Sequence, residues 1–334
     1  MSPAYLRSLL NVFDPWSVLL AALTVAVFGY GILFVPNFFT AFNLSQLTAG
    51  VAEKALLMLP MVFLIIAREI DLSVASILAL TSVLLGLLLR ADVPILAAIP
   101  IVIAAGGLLG AFNGVMVTRL GLPSLVVTLG TMAMYRGIGY IFLGTGSINV
   151  FPDSLTTFGI EDVPGTRIPL VIIPFLVLAP IFATVLQSMP FGRRVYAIGG
   201  NPAAALYSGV AVNKVRFRLF VVSGLVCAIA GIVYTARLAN ARANNALGME
   251  LDVITMVLLG GVSVWGGKGK LTGVLWAMVL IATIRNILGI SRVGGDAQGL
   301  VIGLLLIGSL LLSNSTQFLA SRFRASGAPV KASG

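Results

Sequence analysis

Nine residues, Gly261-Val262-Ser263-Val264-Trp265-Gly266-Gly267-Lys268-Gly269, have the glycine density of a loop that cradles phosphate oxygens with backbone N–H groups. The chemistry fails at two positions. Gly267 stands where a lysine must meet the phosphates, and no Ser or Thr follows Lys268 to hold a magnesium ion. ATP hydrolysis by this device is excluded, so any ATP hydrolysis must come from another subunit. The sequence has no histidine, which removes the commonest metal ligand and proton shuttle. Its one cysteine, Cys227, lies in an apolar run and excludes a disulfide within the chain. With no nucleophile and base pair, no metal cluster and no credible carboxylate pair, the chain reads as a non-enzyme with no catalytic residue, metal ligand or cofactor of its own.

A second stretch offers physics of another kind. From Ser188 to Phe220 the charges are all positive: Arg193, Arg194, Lys214, Arg216 and Arg218. Between the two basic clusters Asn201 suits a helix N-cap, Pro202 the first helical position and Gly209 the residue just past the end, which predicts a helix over 202–208. Such a helix is about 10 Å long. Isolated helices under ~12 residues are marginal in water, so it must be held by its flanks or docked on another surface. Leu206 and Tyr207 are the apolar residues it can offer. This describes a coupling element; the plainer alternative is a basic cytoplasmic loop that only obeys membrane topology.

The elements that position these stretches are membrane spans. Hydrophobic residues make up 59% of the chain and charged residues 10%, and the mean hydropathy is +1.07, far from soluble values of roughly 45–50% and 25%. The 37 glycines fit closely packed membrane helices. The net charge of +10 sits mostly at the ends of apolar runs, where anionic lipid explains it better than nucleic acid. The pattern predicts an all-α polytopic protein with about ten transmembrane helices. It divides into a cytoplasmic N-terminus at 1–16, a transmembrane domain at 17–314 with its cytoplasmic loop at 188–218, and a basic cytoplasmic tail at 315–334. Both termini are expected inside and 144–167 outside. Glu53 and Lys54 either rest at the interface, with a span starting near Ala55, which is the favoured reading, or are buried and functional; Arg68, Glu69 and Asp71 are expected at a turn between spans. The run Leu251–Val264 covers only about 21 Å of a ~30 Å hydrocarbon core, so it is either a full span or a re-entrant, discontinuous helix lining a pathway. Glu69-Ile70-Asp71-Leu72-Ser73 is echoed by Glu250-Leu251-Asp252-Val253-Ile254 five crossings later, which suggests two inverted five-helix repeats.

The residues FGRRVYAIGGNPAAALYSGV at 191–210 resemble the coupling-loop signature of permease subunits of bacterial sugar ABC importers, the ribose, xylose, rhamnose and autoinducer-2 group. IDLSVAS at 70–76, GAFNGVMVTRLGLPSLVVTLGTMAMYRG at 110–137 and LGGVSVWGGKG at 259–269 look like further blocks of that family, in the expected order. The likeness runs from roughly Asn43 to Leu312. It implies a bacterial inner-membrane protein whose loop docks on a cytoplasmic ATPase through Gly192, Arg193, Arg194, Gly199, Gly200, Asn201, Pro202, Ala204, Leu206, Tyr207 and Gly209. A periplasmic or lipid-anchored sugar-binding protein and a second permease subunit, the same chain or a sister, complete the implied assembly within the lipid. In the family Gly-Gly often precedes Ile-Asp-Leu-Ser, whereas here Arg68 and Glu69 do, which makes the chain most similar to the rhamnose-type subgroup.

Taken physically, the blocks supply candidates for a substrate pathway: Asp71, Ser73, Asn113, Thr128, Thr131 and the Gly260-Gly261 break. The hydroxyls and the amide can hydrogen-bond a neutral polyol such as a pentose or 6-deoxyhexose. They serve equally as glue between membrane helices, and both readings stand. A permease for nucleosides or branched-chain amino acids is the nearest alternative. An ion-coupled secondary transporter would place more ionisable residues inside its helices.

Overall fold

A computed structural model describes residues 15–295, 297–305 and 307–308. The expected basic tail at 315–334, and all but the last two residues of the expected N-terminal segment, lie outside the described residues. Within them the chain is helical: α1 (Pro15–Phe34), α2 (Ala41–Ile66), α3 (Val74–Arg90), α4 (Ile95–Thr118), α5 (Ser124–Leu143), α6 (Asp153–Ile160), α7 (Ile173–Gln187), α8 (Pro190–Gly200), α9 (Pro202–Tyr207), α10 (Val212–Leu238), α11 (Met249–Leu259) and α12 (Leu271–Ile290). A further helix covers 297–305. Seven helical segments are long and apolar enough to cross a membrane: α1, α2, α4, α5, Leu170–Gln187, α10 and α12. At 17 residues α3 is a shorter apolar helix. Loop chemistry sets many of the boundaries. Thr40 caps α2 by accepting from Asn43 N (3.2 Å), prolines precede α4 and α5, and prolines open α8 and α9.

Two long helices, α2 and α10, cross at the centre, and from Val51 onward α2 is buried almost without interruption. On one side α4 lies along α10 at a distance only glycine allows. A Cβ on Gly110 would overlap Phe220 O and one on Gly224 would overlap Gly106 O, so the backbones touch in the small-residue mode of membrane helix pairs. Gly130 and Gly137, from the same sequence block, have no such neighbour among the described residues. On the other side α12 packs against α1 and α2, and α11 packs on α2.

One expectation is corrected here and two are made specific. Glu53 and Lys54 do not rest where a span begins, because α2 starts twelve residues earlier, about 18 Å along the helix axis. Glu53 is fully buried and pairs with Arg237 of α10 (2.6 Å); Lys54 reaches Asp252 of α11 (2.8 Å), which also binds Arg285 of α12. The segment 67–73 does turn between α2 and α3, as expected, and it is a compact break with Asp71 at its centre, fully buried. The run after residue 248 crosses the bundle in two parts, eleven helical residues and then non-helical backbone, whose Gly267 N bonds Ile66 O at the basic end (2.9 Å). The two echoed sequences also differ locally: 69–73 is unwound ahead of α3, while 250–254 lies inside α11. Both nevertheless introduce a short helix packed on the central helix of the other half, α3 on α10 and α11 on α2.

Candidate functional site

The basic stretch folds as two helices, α8 and α9, followed by the first turns of α10, which carry Lys214, Arg216 and Arg218, so the expected loop at 188–218 already ends in the long helix. The sequence signals located the second, α9: Asn201 Oδ1 accepts from Ala203 N (3.0 Å) and Ala204 N (3.1 Å), Pro202 opens the helix, and Gly209 beyond it has φ +82°. Leu206 is 60% and Tyr207 91% exposed, so these apolar residues of α9 find no partner among the described residues. The first helix, α8, was not foreseen, although Pro190 marks its start and Gly192, Val195, Ile198 and Gly199 repeat at helical spacing. Those four face inward while Arg193 and Arg194 face out. Gly192 lies against the last carbonyls of α7, where a Cβ would overlap Leu186 O. Gly199 and Gly200 are the last helical residues of α8, and only Gly199 is pressed against a neighbour.

That neighbour is a junction of three backbone segments. Arg68, in the left-handed region (φ +64°), donates from Nε to Gly199 O (2.7 Å) and from Nη2 to Gly200 O (2.8 Å), meeting the carbonyl end of α8 with a cation. The glycine loop completes the joint through Gly267 N and Ile66 O. Gly266 and Gly267, at φ +76° and +71°, take conformations and approaches that a side chain would block. Tyr196 of α8 donates to Gly269 O (2.7 Å), and burial raises its phenol above the ordinary value, so it stays a protonated donor. The loop that resembled a phosphate cradle thus holds α8 to the end of α2.

The candidate pathway residues divide. Asp71 accepts at one oxygen from Ser73 N (3.0 Å) and Ser73 Oγ (2.6 Å) and at the other from Ser223 Oγ of α10 (3.0 Å). Asn113 of α4 donates to Ser73 Oγ (2.8 Å) and accepts from Tyr135 OH of α5 (3.1 Å). Ser124 Oγ accepts from Ile70 N (3.2 Å), Thr128 Oγ1 donates to Ile70 O (3.1 Å), and Thr131 Oγ1 donates to Thr128 O (3.4 Å). Buried backbone polar groups must find partners, and α5 supplies both for Ile70. Five of the seven candidates therefore meet in one polar network that ties the break to α4, α5 and α10. Gly260 and Gly261 lie elsewhere: Gly260 presses on Val274 of α12, and Gly261 (φ +88°) on Trp16, whose Nε1 donates to Leu259 O (2.8 Å). The sequence reading missed Ser124, Tyr135 and Ser223. The first two recur with Thr128 and Thr131 along one face of α5, a periodicity that was available; nothing local marked Ser223.

The chain matches a family model described as branched-chain amino acid transport system / permease component over residues 43–310. The chain belongs to this permease family. The permease is 36% identical to the D-allose transport system permease protein of Escherichia coli, covering 87% of this chain and 88% of the relative. It is 34% identical to the ribose import permease protein of Haemophilus influenzae (84% and 87% covered) and 34% identical to the autoinducer 2 import system permease protein of Klebsiella pneumoniae (90% and 87% covered). No solved structure matches it. The permease is accordingly a transport subunit rather than an enzyme, a multi-pass protein of the bacterial inner membrane. An importer of this kind works with an ATPase and a substrate-binding protein.

Proposed function

We propose that the chain is the membrane subunit of an importer of neutral monosaccharides, a pentose or hexose, with a 6-deoxyhexose such as rhamnose as the finer reading. The observation that carries it is similarity over more than four fifths of the chain to permeases of ribose, allose and arabinose. The interior chemistry agrees. The network around Asp71 presents hydroxyl and amide groups, and the interior ion pairs Glu53–Arg237 and Lys54–Asp252–Arg285 are already engaged with each other rather than open to clamp a zwitterion. In this reading α8 and α9 dock on a cytoplasmic ATPase that binds ATP and magnesium, and a periplasmic or lipid-anchored protein delivers the sugar. A second permease subunit completes the path. The chain crosses ten times as two inverted repeats, with both termini and the basic end in the cytoplasm. Asp71, Ser73, Asn113, Thr128 and Thr131 border the pathway, exchanging their mutual hydrogen bonds for sugar hydroxyls when it opens, and Gly260 and Gly261 give the loop beside it its freedom.

The test is deletion of the gene followed by uptake of labelled rhamnose, ribose, allose, arabinose, xylose and leucine in parallel. Loss of one sugar with leucine uptake intact is expected. Loss of leucine uptake alone would reject the sugar assignment, and loss of any sugar other than rhamnose would reject the finer reading.

A further inference from the structure

We propose that Arg68 and Glu69 form a yoke that makes the buried break around Asp71 move with the coupling helices. The inference rests on the reading that α8 and α9 dock on the ATPase, and adds the part that carries their motion inward. The two neighbouring side chains pull in different directions. Arg68 holds the carbonyl end of α8 through Gly199 O and Gly200 O. Glu69 pairs with Arg216 in the first turns of α10 (2.7 Å), its own side chain only 6% exposed. Two residues further on, Asp71 binds α10 again through Ser223 and α4 through Ser73 and Asn113. A displacement of α8 is thus applied to residues 66–71 directly, and from there to α4, α5 and α10 through buried hydrogen bonds.

Slack in this linkage is small. Gly199 packs on Ile66 O and Gly267 with no room for a Cβ, and a Cβ on Gly266 would overlap Arg68 Cγ, so backbone and guanidinium are confined from both sides. The outer face of α9, in contrast, is not covered by any of the described residues: Ala203, Ala204, Leu206 and Tyr207 are all exposed. A load arriving on α9 passes to α8 and leaves through the junction.

Amide hydrogen exchange on the full chain in lipid nanodiscs, with its partner ATPase added and then trapped with ADP and vanadate, separates docking from transmission. In the native chain the ATPase should slow exchange at 201–208, and the nucleotide trap should change exchange at 67–73. With Arg68→Ala the slowing at 201–208 should remain while the response at 67–73 falls about a hundredfold or more, as expected for loss of two charge-assisted hydrogen bonds. Arg68→Lys, which can restore one of the two, should recover part of it. Glu69→Gln tests the other arm and decides the matter if Arg68→Ala does not reach the membrane folded: exchange should still respond at 67–69 but no longer in the first turns of α10. A full response at 67–73 in Arg68→Ala, or none in the native chain despite slowed exchange at 201–208, overturns the proposal. Absence of slowing at 201–208 in the native chain overturns the docking reading itself.

Discussion

Replacing Gly199 and Gly200 by alanine, one at a time, tests the junction most sharply, because the sequence does not distinguish the two glycines and the structure does. An added Cβ at 199 lies within 3.0 Å of Ile66 O and of two backbone atoms of Gly267, while one at 200 has nothing within 4 Å. Backbone atoms cannot swing aside as a side chain can, so in Gly199→Ala the end of α8 must move off the end of α2. Three hydrogen bonds stretch with it: Gly267 N to Ile66 O at 2.9 Å and the two from Arg68 at 2.7 and 2.8 Å. A neutral bond contributes about 1 kcal/mol net and a charge-assisted one about 1.5–3, so their loss costs about 4 kcal/mol or more. Alanine's better helix propensity returns about 1 kcal/mol, leaving a net loss of about 3. Against a total stability of about 5–15 kcal/mol this is readily measured. Gly200→Ala keeps the propensity gain without the overlap and should be neutral or slightly stabilising. Unfolding of the purified chain, titrated in denaturing detergent, compares the two variants. Equal stabilities, or a less stable Gly200→Ala, would refute the geometry.

Two further outcomes follow from the fold. Glu53→Gln leaves Arg237 facing a neutral amide inside the bundle and should cost about 3 kcal/mol, the low end for a broken buried pair because Arg237 keeps some solvent; adding Arg237→Gln should restore part of that loss in the same unfolding assay. For sidedness, a cysteine in place of Ser154 on α6, in a Cys227→Ser background, should react with an impermeant thiol reagent on intact spheroplasts, and labelling only after lysis would reverse the proposed orientation.

Span-scale hydropathy made the membrane class and most helices legible, because each long apolar run can only be helical in lipid. Local stereochemistry made α9 legible, since an asparagine, a proline and a glycine at the right spacing fix a cap, a first turn and an exit. What stayed hidden depended on contacts between distant segments. Nothing near Glu53 announces Arg237, 184 residues away, and so a buried pair looked like an interfacial one. Nothing near Asp71 announces Ser223, so a carboxylate with three hydrogen-bond donors looked like a turn residue. Gly266 and Gly267 advertised a phosphate loop, yet their positive φ values and close approaches serve a backbone joint.

The same distinction explains why Arg68 looked like a departure in the sequence. A left-handed backbone at a non-glycine residue costs roughly 1–2 kcal/mol, and glycine there would relieve it. The arginine offsets that strain with two charge-assisted bonds to the end of α8, each worth about 1.5–3 kcal/mol. It needs Gly266 to leave room for its Cγ and Arg216 to engage the adjacent Glu69. Arg68, Glu69, Arg216 and Gly266 therefore form one interdependent set, and restoring glycine at 68 alone removes the strain together with the larger stabilisation that offsets it.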